Sequence, residues 1–279
     1  MSLKSNKFKL TKLGYYRLSE EKVGFVSYPS EGSDASLKIE NESQWFDSRS
    51  MIIESLVERH FAGSVFVDVG AGNGYQIKRL QQSIFATNGI NSFMCEPSEN
   101  GCENAVNRGV ENVFCGLLDD FPLDDFDAVS IGLFDVVEHI EHDRAFIKGL
   151  VDRLSKGSRI FITVPALKFL WSNDDELGGH FRRFNRKEVN RLFEGLPVRL
   201  VDQSYFFTYY TPFVYLFRVL LGSKQAQYEQ NVAKEEKYHK GSKFLSYLFK
   251  LFDFVERLFI KNGVGLPFGT SLYVIVEKK

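Results

Sequence analysis

The chain of 279 residues has only three cysteines. Cys95, Cys102 and Cys115 are odd in number and lack the paired short spacing of a zinc site, which excludes a disulfide framework and points to buried thiols in a reducing compartment. Net charge is nearly absent: 35 basic and 36 acidic residues leave a formal −1. That balance argues against a nucleic-acid binder working through a general basic face. No basic start followed by an apolar run marks a secretory leader, so the expected location is cytoplasmic. No clean membrane span is present either, because the apolar stretch 205–221 is interrupted by Pro212 and Arg218.

What the chain has in excess is aromatic residues, 27 Phe and 12 Tyr, with many in the last third. Ahead of that region the sequence alternates short apolar runs with segments of helical period. Strands are expected at 64–69, 92–95, 113–115, 127–133, 159–164, 198–206 and 271–276. Helices are expected at 44–61, 76–83, 99–108, 144–154 and 186–193. Strands separated by helices of this length form right-handed crossovers, hence an α/β, doubly wound, seven-stranded sheet. Residues 1–43 read as an N-terminal extension with short strands near Gly14-Tyr15-Tyr16 and Val23-Gly24-Phe25-Val26, and 44–279 as one domain. About 207–264 is a helical aromatic insertion before the last strand.

Asp68-Val69-Gly70-Ala71-Gly72-Asn73-Gly74-Tyr75 joins the first long strand to a helix. A turn this tight needs residues without Cβ where backbone approaches a ligand. Dinucleotide sites favour G-x-G-x-x-G, which seats a pyrophosphate on the helix N-terminus. Here the spacing is G-x-G-x-G with an acid two residues ahead, suited to a cationic ligand such as S-adenosylmethionine (SAM). Glu96, closing the next strand beside Pro97, is placed to accept from ribose hydroxyls of either cofactor.

With these residues in view, the chain resembles the class I SAM-dependent methyltransferases. It is most similar to the ubiquinone O-methyltransferase kind and to bacterial methyltransferases whose genes accompany glycosyltransferases. Four blocks carry the likeness: Val67–Gly74, Phe134-Asp135-Val136-Val137-Glu138-His139-Ile140, Thr163-Val164-Pro165-Ala166, and Leu170-Trp171-Ser172 running on to Gly179-His180-Phe181-Arg182-Arg183-Phe184. The resemblance implies a Rossmann-like, mostly parallel sheet with an antiparallel last strand, and SAM as cofactor. It implies that Gly70, Ala71 and Gly72 line the methionine and ribose portion and that Asp68 holds the ammonium. Leu117 and Leu118 would lie at the adenine, although many relatives carry an Asp at the position of Leu117. Phe134 would close over the cofactor, and the helix with Trp45, Phe46 and Arg49 would cap its methionine end.

A hydroxyl or protonated amine acceptor would call for a base, and histidine is the natural one. His139 either faces the cleft or is hydrogen-bonded behind it. His180, beside Arg182 and Arg183, either activates an acceptor whose carboxylate or phosphate the guanidinium groups clamp, or belongs to a loop tied down by Asp174, Asp175 or Glu176. Trp171 is a cleft wall or a hydrophobic anchor. The H-x-x-H spacing at His139 and His142 lacks the helical H-E-x-x-H pair, so no metal is expected. The segments 205–221 and 243–261 are a lid, a homodimer contact, a peripheral membrane contact reaching a lipid-linked acceptor, or an extension of the core. A small-molecule acceptor is the other option. An NAD(P)-dependent oxidoreductase or a non-catalytic SAM-binding scaffold are the rival functions.

Overall fold

A computed structural model of the chain describes residues 8–19, 37, 40–216 and 243–279. Nine strands form one sheet: β1 (Phe8–Leu10), β2 (Tyr16–Leu18), β3 (Val65–Val69), β4 (Asn91–Glu96), β5 (Val113–Cys115), β6 (Val129–Phe134), β7 (Arg159–Pro165), β8 (Val198–Phe206) and β9 (Ser271–Lys278), in the order β1-β2-β5-β4-β3-β6-β7-β9-β8. The expected seven strands are all present, and the count is corrected to nine. Phe8–Leu10 and Tyr16–Leu18 add to the β5 edge, so these residues of the N-terminal extension belong to the sheet. β2 overlaps the short strand expected near Gly14-Tyr15-Tyr16, whereas the mostly polar surroundings of Phe8–Leu10 gave no strand signal. The segment 23–26 lies outside the described residues.

The last strand is antiparallel, as expected. It inserts between β7 and β8 and pairs antiparallel with both. β7 and β8 therefore run in the same direction, and β9 fills the gap between them in reverse.

Alternation along the strands assigns each side chain to one of two layers. Val65, Val67 and Val69 of β3 pack in a layer covered by Ile147, Leu150 and Val151 of α4 (Asp143–Arg153) and Val189 and Leu192 of α6 (Arg186–Leu192). Phe66 points the other way, into a layer covered by α1 (Gln44–His60), α2 (Tyr75–Leu80) and α3 (Glu99–Asn107). On α1 the buried positions 49, 52, 53, 56, 57 and 60 form one stripe of helical period. Arg49 heads that stripe, directly over the sheet face that carries Phe66.

The aromatic insertion splits. Phe206 still belongs to β8, a turn follows, and α7 (Thr211–Val214) has Pro212 in its first turn, where its missing N–H costs no hydrogen bond. The first helix of the expected pair thus begins at Thr211; residues 217–221 and the expected loop 225–240 lie outside the described residues. The expected second helix is present as α8 (Lys243–Lys261), packed on α1. α8 turns acids inward: Ser48 donates to Asp253 at 2.6 Å, Tyr209 also donates to Asp253, and Glu256 is buried against Thr208. Leu251, Phe254, Val255 and Leu258, at helical spacing, remain exposed. No described helix is long and apolar enough to cross a membrane.

Candidate active site

The strand order reverses direction of progress at β3, with β4 and β5 on one side and β6 and β7 on the other. Ligands of open α/β sheets bind at the carboxyl ends of strands at such a switch point. Strand parity decides which side chains reach it. Asp68, Glu96 and Thr163 share parity with Phe66, Met94 and Phe161, so all three point to the α1 face.

Asp68 is 1% exposed, and its Oδ2 has no hydrogen-bond partner among the described residues. Burial pushes its carboxyl up to about 8, opposed by the Arg49 guanidinium and assisted by the Glu96 carboxylate. Glu96 accepts from the Gly72 N–H and the Ser98 N–H, each at 2.8 Å. Burial raises it to about 7 despite those two bonds. Glu96 therefore ties the glycine loop to the turn after β4.

The loop glycines have different duties. Gly74 sits at φ +71°, and a Cβ there would meet Ala105 and Val110 at 2.9 and 2.7 Å, so it lets α3 pack against the loop. Gly72 sits at φ +55° with nothing within 4 Å of where a Cβ would lie. Gly72 thus turns a bare backbone toward open space beside Asp68 and Glu96. Asn73 between them is buried; its side chain donates to Glu40 at 3.2 Å and accepts from Asn104 at 3.1 Å. Glu40 in turn pairs with Arg108 at 2.7 Å, so residues before 44 help to hold the loop.

At the end of β6, Asp135 adopts φ +60°. Its carboxylate accepts from Thr163 Oγ1 at 3.0 Å and pairs with Arg49 at 2.7 Å. A non-glycine residue in this region is held there by its surroundings. Arg49 was expected only on a helix capping the methionine end, and its joining to Asp135 and Thr163 was not expected; parity could have placed Thr163, but the left-handed turn at Asp135 leaves no sequence signal.

Other predicted residues take varied positions. Ala71 and Gly70 are half-buried in the loop, and Pro97 follows Glu96 in the turn. Leu117 is exposed, while Leu118 belongs to the core beneath. The Phe134 ring, at the end of β6, stacks on Phe66 with centroids 6.3 Å apart in the layer covered by α1. Gly132 leaves the room it occupies.

His139 and His180 do meet. Their ring centroids are 4.7 Å apart, edge to face, although 41 positions separate them in sequence. Burial and the neighbouring His180 lower His139 to about 4, so the ring is neutral near pH 7. His180 Nδ1 lies 2.9 Å from Asp175 Oδ1. That carboxylate, which burial would raise but His180 and Arg183 hold below its usual range, also accepts from Arg183 at 2.8 Å. Arg183 is buried and donates further to the Ala166 carbonyl, and Arg182 pairs with Asp143 at 2.5 Å. Both guanidinium groups thus carry loop structure. Trp171 Nε1 donates at 3.3 Å to Glu176 on the short helix α5 (Asn173–Leu177) of the same loop. Glu138, whose side chain the sequence left without a role, is wholly buried beside the histidines.

No protein-family model matches the chain, and no curated protein matches it. Solved structures do share its fold. It is similar to the plantazolicin methyltransferase BamL in complex with a triazolic desmethylPZN analogue and SAH, with a TM-score of 0.55 and 17% identity, covering 90% of this chain and 92% of that one. A SAM-dependent methyltransferase from Archaeoglobus fulgidus gives 0.51 and 17%, covering 88% and 99%. The cyclase SpnF gives 0.51 and 14%, covering 84% and 82%. At these identities the likeness shows the Rossmann-like fold, which does not fix a chemistry.

Proposed function

We propose that the chain is a SAM-dependent methyltransferase acting on a small-molecule or lipid-linked acceptor, such as a glycan intermediate or a quinone-like compound. The observation that carries this reading is the Asp68 carboxyl: buried, with Oδ2 unpartnered, beside a glycine loop whose Gly72 faces open space. A buried acceptor left unpaired costs about 1–3 kcal/mol, so such a group is kept where a ligand satisfies it. The SAM ammonium fits Asp68, its carboxylate fits Arg49, and its ribose hydroxyls fit the remaining lone pairs of Glu96. A pyrophosphate would instead meet two acids, which disfavours an NAD(P)-dependent oxidoreductase.

When bound, SAM supplies a sulfonium-activated methyl group. The chain's own task is then to align an acceptor and exclude water. Neutral His139 can accept a proton from an acceptor hydroxyl. Trp171 is suited to wall the cleft, with the loop around His180 held in place by Asp175 and Arg183. A lipid-linked acceptor draws support from an apolar groove of about 550 Å³ between Phe169, Tyr209, Pro212, Tyr215 and Phe268. It also draws support from the exposed apolar face of α8.

Calorimetric titration with SAM, S-adenosylhomocysteine and NAD tests the reading. Saturable binding of the first two and none of NAD is expected. Binding of NAD alone would overturn it.

A further inference from the structure

The geometry points to a redox-modified pair, Cys102 and Cys115, which a peroxide joins reversibly as a disulfide against the back of the glycine loop. One carbonyl brings the two thiols together. Glu96 and Cys115 lie opposite each other on β4 and β5, and the Glu96 carbonyl accepts from the Gly116 N–H at 3.0 Å. The same carbonyl accepts from Cys102 Sγ of α3 at 3.3 Å. Cys102 therefore sits over the end of β5, and its S–H is shared with the Cys115 sulfur.

Strand parity separates the third cysteine from this pair. Cys102 and Cys115 belong to the layer covered by α3, whereas Cys95 packs on the opposite side of the sheet, in the layer covered by α4. Cys95 donates instead to the Gly116 carbonyl at 3.6 Å.

The two paired sulfurs have different roles. Cys102 is 0% exposed, while Cys115 is half-buried and is the sulfur that an oxidant meets first. The hydrogen bond from Cys102 holds the Cys115 thiol below the usual cysteine range; Arg17 assists, and burial, Glu99 and Glu96 oppose. The same contact and burial push Cys102 up. An accessible thiolate beside a resolving thiol is the arrangement of redox-sensing cysteines, and in a reducing compartment the disulfide they form is transient.

The Cys115 thiolate attacks one oxygen of hydrogen peroxide. An S–O bond forms, the O–O bond breaks, and the departing hydroxide takes a proton to become water. The Cys102 sulfur then attacks the sulfenic sulfur, so the S–S bond forms, the S–O bond breaks, and a second water leaves with the Cys102 proton. The two thiols lose two electrons, and the peroxide is reduced to two waters. A dithiol reductant reverses the step.

Both cysteines adjoin glycines that touch the ligand loop. A Cβ on Gly101 would meet the Gly72 carbonyl oxygen at 2.8 Å and Glu96 Cγ at 3.2 Å, so α3 already lies hard against the loop. Drawing the sulfurs to a bond of about 2 Å pulls α3 and the β5 end together across Glu96. The contact placed to give way is the Gly72 N–H bond to the Glu96 carboxylate, and ligand binding weakens with it. That this ligand is SAM rests on the methyltransferase reading; the redox pair does not.

The test is peroxide treatment of the full-length protein, followed by thiol counting after denaturation and non-reducing peptide mapping. Free thiols should fall from three to one, with a linked Cys102–Cys115 peptide, and dithiothreitol should restore all three. Affinity for S-adenosylhomocysteine should fall roughly tenfold on oxidation and recover on reduction. Cys115→Ser should keep both remaining thiols free and make affinity insensitive to peroxide. Cys102→Ser should instead leave a sulfenic acid on Cys115 that dimedone traps. Cys115→Ser, at a half-buried position, remains informative should Cys102→Ser fail to fold. Three free thiols after treatment, or a linkage through Cys95, overturns the pair, and linkage with unchanged affinity overturns its coupling to the loop. Linkage in a protein that binds no S-adenosylhomocysteine in either state sinks the methyltransferase reading alone.

Discussion

The Glu96 carboxylate accepts the Gly72 N–H at 2.8 Å, across 24 positions of sequence. One acid therefore shapes the loop that faces the ligand and remains available to the ligand itself. Glu96→Gln replaces one acceptor oxygen with a donor that opposes a backbone N–H. The expected cost is about 1.5–3 kcal/mol, read by denaturant melting, with adenosine-ligand affinity falling roughly tenfold or more in calorimetry. Unchanged stability would show that the loop holds itself.

Asp68 gives a pH signature. Its folded carboxyl titrates at about 8, against 3.8 for an ordinary aspartate, because it is buried. Near pH 7 the ligand-free protein holds that proton, and an ammonium ligand must displace it. SAM binding should release a proton, and affinity should rise from pH 6 to 8. Calorimetry in buffers of different ionisation enthalpy checks this.

Stability without ligand runs the opposite way. A raised folded value contributes stability in full below the unfolded value near 4, and that contribution is lost as pH rises through 8. Asp68→Asn should flatten both slopes between pH 5 and 8 relative to the parent.

The loop after β7 hangs on one buried acid. Asp175 pairs with Arg183 at 2.8 Å, and the two side chains are 1% and 6% exposed. Asp175→Ala leaves the guanidinium buried and uncompensated, which should cost about 3–5 kcal/mol. His180→Ala, at the more exposed end of the same network, should cost far less. Urea midpoints of the two variants distinguish a shared scaffold from a loose surface loop.

α8 offers a contrast between two faces of one helix. Ile260 is wholly buried, so Ile260→Ala should cost about 2–5 kcal/mol. Phe254 is 52% exposed, so Phe254→Ser should change stability by no more than about 0.5 kcal/mol. If the exposed face meets a lipid-linked acceptor, Phe254→Glu with Leu258→Glu should abolish liposome co-sedimentation while leaving SAM binding intact.

The sequence by itself determined the repeating layout. Val65–Val69, Val113–Cys115 and Val198–Phe206 were legible because strands and helices write different periods into a chain, and the glycine loop because close backbone approach excludes side chains. Asp68 and Glu96 were legible as strand-end acids, since parity and position are local properties. Only tertiary structure decided the rest. Phe8–Leu10 has no pattern of its own and pairs with Tyr16–Leu18, which itself forms against the β5 edge. Phe134 can stack on Phe66 because Gly132 leaves space beside both rings. Arg182 was taken by Asp143 of another segment, while Arg183 pairs with Asp175 of its own loop, and Glu138, His139 and His180 met because β6 and β7 end side by side. Partnership across long sequence separation depends on which strands are neighbours, and no local period records that.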